Sequence, residues 1–245
     1  MRILITNDDG IYSPGIAALA RIAQKFGNVI VIAPDVEQSS MGHAVTHSRP
    51  LSYKKSPIAF HGEIEAFRVN GTPADCVAMG THIYSDIKVV LSGINMGPNL
   101  GNGIWHSGTL AAAKQATLFG LKGIAYSTPV GKDEPDFNHL SGFVEETLSL
   151  LLEDTGIGLY NVNLPPKPQG IIWTRQSVRL YDGVIKPGMD PLGRKHYWFT
   201  VKPLEPADEG TDRWAVENNL VSITPLRIDL TNEEELDFQL RKNRK

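Results

Sequence analysis

A single cysteine, Cys76, stands in the 245 residues of this chain. No internal disulfide is possible, and a reducing compartment, the cytoplasm, is expected. An excess of one charge is missing too. The 24 Lys and Arg against 27 Asp and Glu leave a net charge of -3, which excludes the broad basic surface of a nucleic-acid-binding protein. Long apolar runs are also absent. The opening run, Ile3-Leu4-Ile5, is cut off by acids and is far too short for a signal segment. No stretch approaches the roughly 20 apolar residues of a membrane span. Neither internal repeats nor low-complexity tracts occur. What is present is 41% hydrophobic residues, core enough for one large domain, or for one domain with a smaller appendage.

Strand and helix signals alternate through the first two thirds. Ile3 to Thr6 reads as a buried strand. Ser13-Pro14 gives a cap followed by proline at the first helical position. Pro14 to Phe26 then carries apolar residues at helical spacing. Asn28 to Ala33 is a nearly unbroken apolar strand of the kind found in parallel sheets. Further strands are expected at Phe67–Val69, Val89–Leu91, Gly123–Ser127 and Tyr160–Leu164. Helices are expected at Pro73–Ser85, Gly108–Phe119 and Leu140–Leu152. The pattern predicts an α/β, Rossmann-like, doubly wound and mostly parallel sheet over residues 1–165. Pro165, Pro166 and Pro168 then break the rhythm. Residues 166–245 read as a smaller β-rich extension, with strands at Ile171–Thr174, His196–Val201 and Leu220–Thr224 and a last helix at Asn232–Leu240. The basic residues from Arg241 to Lys245 read as the solvated end of that helix.

In open α/β sheets, ligands bind beyond the carboxyl ends of the strands. Four stretches fall there: Asn7-Asp8-Asp9-Gly10, the loop Pro34 to His43, the loop Ser92 to Asn99, and Ser107-Gly108-Thr109 at a helix start. In a continuing strand Asp8 and Asp9 would face opposite ways, but Gly10 lets the chain turn. A divalent cation would relieve the repulsion between two converging carboxylates. The plainer alternative makes Asp9 a loop or capping acid and Asp8 a hydrogen-bond acceptor. Asn95 and Asn99 sit in a glycine-rich loop that brings backbone and amide oxygens close to a ligand. Ser107 reads as a helix cap, and the N–H groups of Gly108 and Thr109 as an anion site. His43 and His106 are two open candidates for proton donation. No cysteine cluster or zinc motif is present. Acid, hydroxyl and amide oxygens suit Mg²⁺ or Mn²⁺.

These stretches together resemble the SurE survival-protein nucleotidases, a family of metal-dependent 5′/3′-nucleotidases. The resemblance rests on ILITNDDG, on Ala33 to Ser39, and on FRVNGTPADCV at Phe67 to Val77. It continues through LSGINMGPNLG at Leu91 to Gly101, SGTLAAAKQA at Ser107 to Ala116, NVNLP at Asn161 to Pro165 and VSITPL at Val221 to Leu226. It implies one divalent cation per subunit held by Asp8, Asp9, Ser39 and Asn95. It also implies catalysis by Asp8 and Asp9, with Asn99, Ser107, Gly108 and Thr109 facing the substrate phosphate. A nucleoside monophosphate would be the substrate, and a homodimer or homotetramer the assembly, with the extension exchanged between subunits. Two positions depart from the pattern. His106 stands where tyrosine is common before SGT, and Asn218-Asn219-Leu220 where a glycine and an aromatic often stand. The rival readings are a nucleotide-binding oxidoreductase on a similar fold, or a binding protein without phosphatase activity. The first lacks the GxGxxG turn, since NDDG stands in its place.

Overall fold

The run Ile3-Leu4-Ile5 is apolar throughout because both faces of its strand are covered. Strand β1 (Arg2–Thr6) sends Ile3 and Ile5 into one hydrophobic cluster and Leu4 into another on the opposite face. The structure is a computed structural model that describes residues 1–58, 60, 64–131, 136–154, 156–178, 181–203 and 206–242.

The chain continues through α1 (Pro14–Ala23), β2 (Asn28–Pro34), β3 (Tyr53–Lys55), β4 (Glu65–Val69), α2 (Pro73–Ile83) and β5 (Ile87–Met96). A 3₁₀ turn at Gly101–Trp105 leads into α3 (Gly108–Leu118), β6 (Lys122–Thr128), α4 (Ser141–Glu153) and β7 (Leu159–Asn163). Six strands run parallel in the order β4-β2-β1-β5-β6-β7. From β1 the chain moves outward to β2 on one side, then returns to β5 on the other. The sheet therefore reverses its winding between β1 and β5, the crevice where open α/β sheets bind ligands. Helices α1 and α4 pack together on one face, and α2 and α3 on the other.

Residues after Pro165 divide in a way that local pattern does not reveal. Strands β8 (Gly170–Trp173) and β11 (Leu220–Leu226) extend the main sheet, β11 antiparallel to β7 and β8 parallel to β11. Helix α5 (Asp212–Glu217) packs on β11. Among the described residues, strands β9 (Tyr181–Met189) and β10 (Lys195–Pro203) pair only with each other, as an antiparallel hairpin. The sequence reading has no strand at β9, where Gly183, Pro187 and Gly188 weaken the β signal. Helix α6 (Glu233–Lys242) has no buried residue. Of the basic tail, Arg241 and Lys242 end α6, and residues 243–245 lie outside the described residues. No described helix is long and apolar enough to cross a membrane.

Helix α2 is fastened by a reciprocal cap. The Thr72 hydroxyl accepts the Asp75 N–H at 3.2 Å, and the Asp75 carboxylate accepts the Thr72 N–H at 2.9 Å. The same carboxylate accepts Thr46 N–H at 3.0 Å and Thr46 Oγ1 at 2.6 Å, pinning the loop before β3. Burial pushes this carboxyl up, but the bonds from Thr46 and Thr72 hold it below its usual value. A carboxyl with a lowered folded pKa stabilises above its unfolded pKa of about 3.9 and loses that contribution as pH falls below it. Asp75→Ala should therefore lower stability at pH 7 by about 2 kcal/mol. The gap from the native protein should narrow below about pH 4, as read by urea denaturation at both pH values.

Candidate active site

The acid pair lies beyond the end of β1, where Gly10 turns the chain with φ of 94°. The Asn7 side chain closes this turn by donating to Gly10 O at 3.0 Å. Backbone bonds seat the turn against the loop after β2: Ile11 N–H to Pro34 O at 2.9 Å and Gln38 N–H to Asp8 O at 2.7 Å. Opposite, β5 ends in Asn95 and Met96, and the Met96 N–H reaches Asp9 Oδ2 at 3.2 Å. These elements frame a cleft of about 440 Å³. Its lining includes Asp8, Asp9, Glu37, Ser39, Asn95, Asn99, His106 and Ser107, with Val130 on one wall.

Six of the eight residues that the resemblance assigns to the site line this cleft: Asp8, Asp9, Ser39, Asn95, Asn99 and Ser107. The other two stand behind the wall. Thr109 is fully buried, and its hydroxyl donates to Asp8 Oδ1 at 2.7 Å. Its backbone N–H also serves the Asp8 carboxylate. The anion at the start of α3 is thus Asp8 itself, in the place where the sequence reading expects a phosphate. Gly108 makes this approach possible. A Cβ there would lie 2.7 Å from Asp8 Cβ and 3.0 Å from its Oδ2. Ser107 caps the helix, its Oγ accepting Leu110 N–H at 3.0 Å.

Asn99 is the centre of a buried polar chain. Its side-chain amide donates to Ser127 Oγ at 2.7 Å and to Thr109 Oγ1 at 3.3 Å. Its backbone is held from β7: Asn163 accepts the Asn99 N–H at 2.9 Å and donates to Asn99 O at 2.9 Å, and Asn161 donates to the same oxygen at 2.8 Å. Sequence reasoning missed this role of Asn161 and Asn163. Their spacing of two on a strand was the available signal, since it puts both side chains on one face.

The two histidines separate. His106 lines the cleft, and its carbonyl accepts the Gly42 N–H at 3.0 Å, joining two of the surrounding loops. His43 faces a different groove, bonded through Nε2 to Gln115 Oε1 at 2.9 Å.

Electrostatics set the character of the cleft. Burial raises the Asp8 carboxyl, against the pull of Thr109. Burial, then the charge of Asp8, pushes Asp9 up to about 6. Glu37 adds to both effects. Among the described residues that line the cleft there is no Lys or Arg. Acids without a cationic partner, beside the neutral oxygens of Ser39 and Asn95, fit a hard dication.

Residues 3–183 match the family model described as Survival protein SurE. This chain belongs to that family. Among SurE proteins, the 5′-nucleotidase SurE 1 of Thermus thermophilus is 43% identical over 235 residues, covering 94% of this chain and 93% of that protein. The 5′-nucleotidase SurE of Deinococcus radiodurans is 41% identical over 237 residues, covering 94% and 88%. The crystal structure of the SurE protein from Aquifex aeolicus has a TM-score of 0.79 at 37% identity, covering 96% of each chain.

The tight seat of α3 on the acid pair has a measurable consequence. Gly108→Ala must displace either the helix start or Asp8. It should cost about 1–3 kcal/mol in urea denaturation, and unchanged stability would show that the approach is looser than the geometry gives.

Proposed function

We propose that this protein is a divalent-metal-dependent phosphatase that hydrolyses nucleoside monophosphates, a 5′-nucleotidase with 3′-nucleotides as further substrates. The observation that carries this reading is the acid pair without a cationic neighbour, at the sheet's switch point, in a chain of the SurE family. Asp8, Asp9, Ser39 and Asn95 hold one Mg²⁺ or Mn²⁺ per subunit, since their hard oxygens line one cleft. Such an ion supplies Lewis acidity toward a phosphoryl oxygen and offsets charge on the ester.

The chain's own groups do the rest. The Thr109 hydroxyl and N–H fix one side of the Asp8 carboxylate. That leaves Asp8 oriented toward the cleft, where it assists the nucleophile. Met96 N–H steadies Asp9. Asn99 and Ser107 line the wall that receives the phosphate, with Gly108 and Thr109 setting the helix start behind it. His106 and Val130 also line the cleft and are available to contact the nucleoside.

Surfaces that the single chain leaves uncovered support the assembly. Hairpin residues Tyr197, Trp198 and Phe199 are 64%, 66% and 71% exposed, and Phe238 on α6 is 60% exposed. Apolar area of this kind marks an interaction surface. The protein works as a homodimer or homotetramer built through the hairpin and α6. The cytoplasm suits its single, unpaired and buried thiol.

Dialysed, chelated protein should release no phosphate from nucleoside monophosphates, and added Mn²⁺ or Mg²⁺ should restore the activity. Full activity in the chelator would refute the metal dependence. Thr109→Val should lower kcat about tenfold to a hundredfold with KM little changed, the cost of losing one bond to a charged group. Light scattering should report a dimer or tetramer that deletion of residues 232–245 weakens. A monodisperse, fully active monomer would count against the assembly.

A further inference from the structure

One buried carboxylate joins two distant parts of the chain. Asp212 opens α5 and is fully buried. Its Oδ1 accepts the backbone N–H of Ser177 at 3.0 Å and of Arg213 at 2.7 Å. Its Oδ2 accepts the N–H of Gly101 at 2.8 Å, from a residue 111 positions away.

The two ends of this connection have different duties. Ser177 precedes the hairpin and Asp212 follows it. The chain segments there are laced by Arg175 N–H to Gly210 O at 3.0 Å and Asp212 N–H to Arg175 O at 2.9 Å. Gly101, at the other end, begins the 3₁₀ turn whose own capping position, Leu100, offers no side-chain bond. Asp212 supplies the missing acceptor. Gln176 adds a second hold, its Nε2 donating to Gly101 O at 3.0 Å. The loop fastened in this way carries Asn99, His106 and Ser107, one wall of the cleft.

We propose that Asp212 is a positioning residue for the phosphate-ester site, fixing the Asn99–Ser107 wall through Gly101 to the feet of the hairpin. The inference rests on the nucleotidase reading. A carboxylate suits the position because it only accepts, and here converging N–H groups need acceptors. Bonds from N–H groups to an ionised oxygen are also the stronger kind. The acid pair is held by other bonds, from Thr109 and Met96. Loss of Asp212 should therefore disturb substrate binding more than the chemistry at Asp8.

Asp212→Asn makes the cut selectively. Its one amide oxygen can still accept from Ser177 and Arg213, which leaves the NH₂ facing the Gly101 N–H, donor against donor. The expected result is a rise of about tenfold in KM for a nucleoside monophosphate and in Ki for inorganic phosphate. kcat should stay within about threefold. Hydrogen exchange of amides 100–107 should quicken while that of β1 does not. Gln176→Ala should move the same quantities less far, and it serves if Asp212→Asn does not fold. Native KM, Ki and exchange in these variants would overturn the proposal, as would a fall in kcat at constant KM. If the native protein hydrolyses no phosphate ester at all, the nucleotidase reading fails. Exchange across 100–107 then decides on its own whether Asp212 holds the wall.

Discussion

Asp8 and Asp9 sit side by side at the end of a central strand, where water reaches Asp8 hardly at all. Ionising both groups there is costly, because burial and mutual repulsion act in the same direction. The surrounding structure answers that cost only in part. Helix α3 points its N-terminus, the Thr109 N–H and the Thr109 hydroxyl at Asp8. The first helical position is Gly108, so the helix can come that close. Asp9 receives a single backbone donor from β5. The remaining negative charge faces the cleft, and a dication is the natural partner for it.

The rest of the fold holds the walls in register with that pair. A strand from each side of the switch point contributes: β1 gives the acids, and β5 gives Asn95 and Met96. The loop after β5 has little regular structure of its own, so distant groups supply its order. Asn161 and Asn163 bond the backbone of Asn99 much as a neighbouring strand would. Asp212 and Gln176 do the same for Gly101. Parts of the chain after residue 160 thereby set the geometry of residues 99–107. The C-terminal third is bonded both into the main sheet and to the loop after β5.

Much of this was legible in the sequence where the signal is local. Ser13-Pro14 marks the start of α1, and the unbroken apolar runs are the strands covered on both faces; the helix at Pro73 was legible, but the sequence reading has no Thr72–Asp75 cap. Helix α1 stops at Ala23, before Phe26: Gln24 N–H still bonds four residues back to Ala20 O, but Lys25 and Phe26 N–H bond only three back, to Ile22 O and Ala23 O. The cleft's lining was legible as well, since strand ends in such a sheet converge. Long-range partners were not. Nothing in SGT says that the Thr109 hydroxyl serves a carboxylate 101 positions earlier. Nothing in VSITPL says that β11 pairs with β7 and so belongs to the main sheet. Those choices are made by tertiary packing, which a one-dimensional pattern does not carry.

Burial and mutual repulsion should strain the pair without a cation, and a bound cation should relieve it. Asp9→Asn tests this through thermal unfolding. A carboxyl whose folded pKa is raised costs stability once pH exceeds its unfolded value, so at pH 7 the neutral amide removes that cost. In a chelator, Asp9→Asn should melt above the native protein. With Mn²⁺ added, the native protein should gain far more and overtake it, because the ion binds the folded state. A native protein that melts no lower than Asp9→Asn in the chelator, with equal gains from Mn²⁺, would contradict the account.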